Sequence, residues 1–98
     1  MKAFQVTGDS KRIYFKNYDR ISVEQEFDNL VSELKEIGCI VYDKIMGPSE
    51  DLLHCNSDLG GFSILVPIDD GMDDDLFIYS DDPEVIDNLM EWFNRDNS

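Results

Sequence analysis

The sequence is short of basic residues, histidine, cysteine and long apolar runs, and each shortage excludes a class of protein. Only eight residues are Lys or Arg, against 22 Asp and Glu, which gives a net charge of −14. Nucleic acids and anionic membranes are bound through basic surfaces, so we expect neither as a direct partner. No stretch approaches the roughly 20 apolar residues that a membrane-spanning helix needs.

Residues that would carry catalysis are equally scarce. The sequence has no Gly-rich phosphate loop, no Cys-x-x-Cys, no His-Glu-x-x-His and no Gly-x-Ser-x-Gly. His54 and Cys55 are adjacent, and adjacent strand residues point to opposite faces, so we expect no dyad between them. Cys39, on a neighbouring strand, stays open as an alternative partner of His54. We predict a protein that is not an enzyme and that holds no cofactor.

The two cysteines do not form the framework of a disulfide-rich secreted domain. We expect Cys39 and Cys55 to be reduced, buried thiols, since buried cysteine behaves as a small apolar residue. A single bridge between neighbouring strands remains the alternative. The start of the sequence, MKAFQ, lacks the apolar segment of a secretory signal, so we expect a cytoplasmic protein.

Apolar side chains are plentiful enough for one core. Hydrophobic residues make up 42% of the chain and aromatic residues 11%, which argues against disorder despite the charge. A chain of this length is typical of one domain, and we assign residues 1–98 to it.

Two amphipathic helices are predicted from apolar residues at three- and four-residue spacing. The first has Ser22 as N-cap, Gln25 completing a capping box, and Gly38 as C-cap. The second has Asp82 as N-cap and Pro83 at its first position. The apolar stripes are Val23, Phe27, Leu30, Val31, Leu34 and Ile37, and then Val85, Ile86, Leu89, Met90 and Phe93.

Short segments with strand composition alternate with turn residues. Residues 39–45 are nearly apolar at first, so we expect that strand to be buried on both faces. We predict an α+β fold with an antiparallel sheet of about five strands and two helices on one face, in the order β-β-α-β-β-β-α. The strand-like segments are residues 4–7, Arg12–Lys16, residues 39–45, residues 52–55, Phe62–Pro67 and residues 76–79.

Acidic residues are concentrated between positions 69 and 84, which hold eight carboxylates and no basic residue. Asp82 and Glu84 suit the start of a helix, but three successive aspartates at 73–75 have no such role in folding. A solvated loop is one interpretation. Weak calcium binding is another, although neither residues 69–75 nor residues 56–67 match the spacing of an EF-hand, and we predict no dedicated metal site.

A third interpretation is an anionic surface that imitates a phosphate backbone and fills a basic cleft on a protein partner. Tyr79, beside this stretch, would supply the aromatic anchor that interfaces commonly use, with Phe77 and Trp92 behind it. For Trp92 we favour the alternative that it caps the edge of the core. The predicted partner-binding residues are Asp69, Asp70, Asp73, Asp74, Asp75, Tyr79, Asp81 and Asp82.

The overall pattern resembles small bacterial immunity proteins, which neutralise toxin domains such as nucleases in contact-dependent growth inhibition and similar systems. The resemblance rests on the short acidic chain, a helix after a hairpin, and the closing segment FIYSDDPEVIDNLMEWF. It implies an inhibitor that pairs tightly with one cognate toxin, with a nuclease domain as the expected partner. Two alternatives stay open: a phage-type nucleic-acid mimic that inhibits a DNA- or RNA-binding enzyme, and an acidic adaptor.

Overall fold

The structure, a computed structural model, describes residues 2–16, 23–48, 50–67 and 76–95. Within them the chain has the predicted α+β architecture, with two α-helices and six strands instead of about five. A short 3-10 turn, Lys35–Ile37, continues the first helix. The elements are β1 (Lys2–Phe4), β2 (Arg12–Lys16), α1 (Val23–Leu34), β3 (Ile40–Met46), β4 (Glu50–Asn56), β5 (Phe62–Pro67), β6 (Phe77–Tyr79) and α2 (Pro83–Phe93).

The six strands form one antiparallel sheet in the order β1-β2-β6-β5-β4-β3. Helix α1 carries the chain from β2 to the far edge, and β3 to β6 return strand by strand until β6 pairs with β2. Four strands therefore follow α1, one more than in the predicted order. Strand β1 ends at Phe4 because residues 6–9 turn, with the Asp9 N–H donating to the Val6 carbonyl at 2.9 Å.

The core lies between one face of the sheet and the two helices. Alternate residues of the strands point to this face, and apolar residues of α1 and α2 meet them in one cluster. Phe15 of β2 contacts Phe93 of α2 edge-on, with ring centroids 5.2 Å apart. Residues with no exposed surface are Ile13, Leu30, Leu34, Cys55, Ile64, Leu76, Ile78, Ile86 and Leu89.

Both helix-capping predictions that fall on described residues are confirmed. Gly38 ends the turn after α1 with φ +67°, and its N–H donates to the Lys35 carbonyl at 3.1 Å. Asp82 caps α2, and its carboxylate accepts the Glu84 N–H at 3.0 Å. Ser22 lies outside the described residues. Neither described helix combines the length and apolar character needed to cross a membrane.

The prediction for the strand after α1 is wrong. Every residue of β3 is exposed, because β3 forms an edge of the sheet and is not buried on both faces. The described helices pack mainly on β1, β2 and β5. The apolar side chains of β3 are therefore not part of the described core.

Candidate partner-binding site

The sheet face opposite the helices carries a row of apolar side chains that crosses all six strands. Phe4, Tyr14 and Phe77 are direct cross-strand neighbours, with ring centroids 5.7 Å and 5.5 Å apart. The register continues the row onto the next three strands. The apolar row is Phe4, Tyr14, Phe77, Leu65, Leu52 and Ile45. Ile45 is the exposed member of this row and the other five are half-buried, so the row is a partly accessible apolar band.

A second row, of polar residues, lies beside the apolar row on the same face. Arg12 pairs with Tyr79, Tyr79 with Ser63, Ser63 with His54, and His54 with Asp43. The Arg12 guanidinium lies 5.2 Å from the Tyr79 ring centroid, and its Nη1 lies 3.2 Å from Oδ2 of Asp9. The positive charge of Arg12 is therefore offset by Asp9.

Between these residues the face has an open depression of about 370 Å³. On one side the Tyr42 ring stacks on His54, with centroids 6.1 Å apart and planes at 20°. A β-bulge at Val41/Asp43 places Tyr42 beside Asp43 opposite the same residue of β4. His54 Nδ1 lies 2.9 Å from Oγ of Ser63, which fixes the ring against Tyr42. We call this feature the open-face depression.

Tyr79 and Asp81 form the opposite side of the open-face depression. The Tyr79 hydroxyl donates a hydrogen bond to the Asp81 carboxylate, and this bond raises the pKa of Tyr79 because the bonded proton is harder to remove. Both residues are accessible, so a carboxylate and a phenol are presented together at the rim.

Buried Ser80 fixes the position of Asp81. The Ser80 hydroxyl donates to the Gly61 carbonyl and accepts the Asp82 N–H, each at 3.2 Å. The Ser80 N–H donates to the Lys11 carbonyl at 3.0 Å. The chain that leaves β6 is thus tied to two neighbouring segments, and the rim of the open-face depression is positioned before any partner binds.

The open-face depression has the chemistry to receive a cation. The Asp81 carboxylate can accept charge-assisted hydrogen bonds from a guanidinium or an ammonium group. Tyr42 stacks on His54 and Tyr79 lies beside the Arg12 guanidinium, so each ring has at most one π face left for such a cation. Phe62 and Leu52 also line it, so part of its surface is apolar. This combination suits a Lys or Arg side chain of a protein partner, whose stem is apolar and whose head is charged.

The structure brings together two of the eight predicted partner-binding residues, Tyr79 and Asp81, at one depression. Asp82 is exposed, but its carboxylate already accepts the Glu84 N–H as the N-cap of α2. Phe77 lies on the open face, whereas Trp92 packs beside the core on the helix side and does not stand behind Tyr79. The predicted residues Asp69, Asp70, Asp73, Asp74 and Asp75 lie outside the described residues.

Among the lining residues that were not predicted as partner-binding residues are Tyr42, His54 and Ser63. Strand alternation is the signal that connects the last two, since His54 and Leu52 of β4 lie on the same open face as Ser63 and Leu65 of β5. The bulge that turns Tyr42 onto His54 has no such sequence signal.

The thiols are separated from the histidine by the sheet. His54 contacts Ser63 on the open face, whereas Cys55 is buried in the core, so the expected opposition of the two neighbours is confirmed. Cys39 and Cys55 are free thiols, Cys55 buried as expected and Cys39 only half-buried, and Cys39 lies near Cys55 and not near His54. Burial raises the pKa of Cys55 to about 12, far from the range of a reactive thiolate.

Over the described ranges 2–16, 23–48, 50–67 and 76–95, no group of three or more His, Cys, Asp or Glu side chains is arranged to hold a metal ion. Residues 69–75, the other calcium candidate, fall outside those ranges. Comparison with known protein families, with curated proteins and with solved structures finds no match for this chain.

Proposed function

We propose that this protein binds and neutralises a basic protein partner, in the manner of the bacterial immunity proteins that it resembles. The observation that carries the proposal is the open-face depression, where Asp81 and Tyr79 face the Tyr42–His54 stack in a chain of net charge −14. We further propose that the partner is a toxin domain with nuclease activity and that neutralisation takes place in the cytoplasm.

Charge and apolar contact have different parts in this proposal. The negative field draws a basic partner into encounter and raises the association rate, to about 10⁸ M⁻¹s⁻¹ or more at low salt. Affinity then comes from desolvated contacts on the open face, where the apolar row and the open-face depression lie side by side. Carboxylates of residues 69–75 complete the anionic surface in this proposal and occupy the places of phosphates in the basic cleft.

The test begins with capture of the partner. The protein is immobilised, exposed to extract of its native host, and eluted in salt steps; the retained protein is then purified and its activity measured with and without the inhibitor. We expect one basic protein, bound with one-to-one stoichiometry and inactive in the complex. An unrelated basic protein of similar charge serves as control and should elute at much lower salt.

Variants connect that result to the site. Tyr79→Ala and Asp81→Asn should each weaken the complex, and truncation of a central aromatic anchor is expected to cost about 2 kcal/mol, or roughly 30-fold in Kd. Asp87→Asn, an exposed position on α2, removes the same charge from the helix side and should leave Kd unchanged. A captured partner that keeps full activity in the complex, or equal weakening by all three variants, would reject the proposal.

The two alternatives give different results in the same experiment. A phage-type nucleic-acid mimic would compete with DNA or RNA for its partner, and an excess of either polymer would release it. An acidic adaptor would bind without loss of the partner's activity, through an interface that is less sensitive to salt.

A further inference from the structure

Strand β3 is an exposed sheet edge with an unusual number of apolar side chains. It lies at the end of the strand order, and all seven of its residues are exposed. Ile40 is 65% exposed, Tyr42 69% and Met46 77%. The opposite edge strand, β1, is only three residues long. The two edges therefore differ in length and in the way they meet solvent.

An edge strand presents a row of backbone N–H and C=O groups that another strand can pair with. Folded proteins usually blunt such an edge with charge, proline, a short length or a bulge. In β3 the bulge and Lys44 are present, yet five large apolar side chains remain at the surface. These are Ile40, Val41, Tyr42, Ile45 and Met46. None of the five belongs to the described core cluster.

We propose that β3 is a strand-addition site, which pairs with an extended segment of the partner in which Lys or Arg alternates with apolar residues. The partner's segment becomes a seventh strand next to β3. Backbone hydrogen bonds then supply affinity, and contacts of alternate side chains supply specificity. This inference rests on the proposed function for the positive charge of the partner, and it adds the site and the mode of binding.

The two faces of β3 define what the added strand must carry. On the open face Asp43 lies opposite His54 and Ile45 opposite Leu52, with the Tyr42 ring stacked on His54. A cationic side chain here meets the Asp43 carboxylate and the face of Tyr42, at the border of the open-face depression. On the other face Val41 and Met46 offer apolar surface, 41% and 77% exposed.

A second copy of this chain fits the same edge poorly. Two-fold pairing of β3 with itself about Asp43 sets Asp43 against Asp43, and pairing about Lys44 sets Lys44 against Lys44. Like charges directly opposite each other destabilise a strand pair. Pairing centred on Tyr42 or Ile45 avoids these contacts, so net charge is the factor that opposes every register. Each copy also carries a net charge of −14, which opposes association. A basic segment removes both penalties, so charge complementarity favours a different chain as the occupant.

A synthetic probe tests the site without the natural partner. The probe is the end-capped peptide (Lys-Val)₅, titrated into the ¹⁵N-labelled protein while amide shifts and hydrogen exchange are recorded. We expect saturable shifts centred on Ile40–Met46 and slower exchange of β3 amides. Two control peptides have the same length: (Glu-Val)₅, which reverses the charge, and (Lys-Val)₅ with two adjacent central prolines, which removes backbone donors on both edges. Neither should bind β3.

Matched variants of the protein complete the test. Asp43→Asn and Tyr42→Ser should each raise the Kd of the probe about tenfold. The first variant removes the carboxylate and the second removes the ring. Asp87→Asn removes an equal charge from α2 and should leave Kd within about twofold. Circular dichroism and thermal unfolding of each variant establish that exposed positions, and not the fold, have been changed.

Three outcomes would overturn the inference. The first is binding of the proline peptide as tightly as the probe, which would assign binding to charge alone. The second is a set of shifts that spreads over the acidic helices with β3 unaffected. The third is a dimer detected by light scattering without the probe, with β3 amides already protected, which would make a second copy the occupant. Should the captured partner bind Tyr42→Ser and Asp43→Asn normally but lose affinity for Tyr79→Ala, strand addition fails and the proposed function stands.

Discussion

Gly60 and Val85 approach so closely that a side chain at position 60 has no room. A Cβ atom on Gly60 would lie 2.6 Å from Cγ2 of Val85, and the backbone at Gly60 has φ +121°, which L-residues with side chains rarely adopt. Gly60 precedes β5 and Val85 lies in the first turn of α2. The contact therefore sets how near α2 can approach the β4–β5 turn, beside the segment that holds Tyr79 and Asp81.

Replacing Gly60 with alanine should destabilise the fold, because the new methyl group meets Val85 and the backbone must leave its positive φ. We expect a loss of about 1–3 kcal/mol in the free energy of unfolding, measured by urea titration. Gly61→Ala is the matched control. Its Cβ would lie 3.7 Å from the nearest atom, the Cys55 carbonyl oxygen, and the expected change is within about 0.5 kcal/mol. Equal losses in both variants would contradict the contact.

Asp82 tests whether a predicted interface residue acts in folding or in binding. Asp82→Ala removes the acceptor of the Glu84 N–H and should cost about 1 kcal/mol of stability. Asp82→Asn keeps a good N-cap while removing the charge, so its free energy of unfolding should stay within about a few tenths of a kcal/mol of the parent's. If Asp82→Asn keeps its affinity for the partner, Asp82 serves the helix; if the affinity falls at unchanged stability, it also contacts the partner.

Much of this fold could be predicted from periodicity and turn chemistry. Both helices, their described caps and the segments of five of the six strands were predicted within about two residues, because spacing of apolar residues reflects which side faces the core. The exposure of β3 could not be predicted, because an apolar strand has the same sequence pattern whether a helix layer or another chain covers it. Its position at the edge is decided by the route of α1 across the sheet.

The candidate site was predictable only in part. Tyr79 and Asp81 stood out because an aromatic residue lies beside a run of acids. Tyr42 and His54 come from strands that are distant in sequence from Tyr79, and only the strand order β6-β5-β4-β3 brings them to one depression. That order depends on tertiary pairing, which single-sequence patterns do not specify.

Cys55 gives the protein a stability that declines in alkali. Its pKa is raised from 9.0 to about 12, mainly by burial and also by nearby Cys39. Because the unfolded thiol ionises first, this contribution is complete below pH 9 and is lost as the pH rises towards 12. We would measure the free energy of unfolding by denaturant titration at several pH values in that range. It should fall more steeply with pH for the parent than for Cys55→Ala, by up to about 1.4 kcal/mol per pH unit. Parallel slopes would contradict a buried, protonated thiol.

The aspartates at 73–75 test whether binding depends on local charge or on the total. Asn at all three positions should weaken binding of the captured partner about 3- to 160-fold near 0.15 M salt, since exposed ion pairs contribute about 0.2–1 kcal/mol each. Stability should stay within about 0.5 kcal/mol. The control triple, Asp28→Asn, Glu33→Gln and Asp87→Asn, removes the same charge from exposed helix positions.

The effects of the two triple variants should differ with salt concentration, because the described residues span 33 Å in their longest dimension. At about 0.01 M salt the Debye length is roughly 30 Å, so the field of the whole molecule acts on the partner and both triples should slow association similarly. Near 0.15 M it falls to about 8 Å, and only charges at the interface still act. Association rates measured at both concentrations should therefore diverge at the higher one. Equal rates there would assign steering to net charge, and full binding by the aspartate triple would place the interface away from residues 73–75.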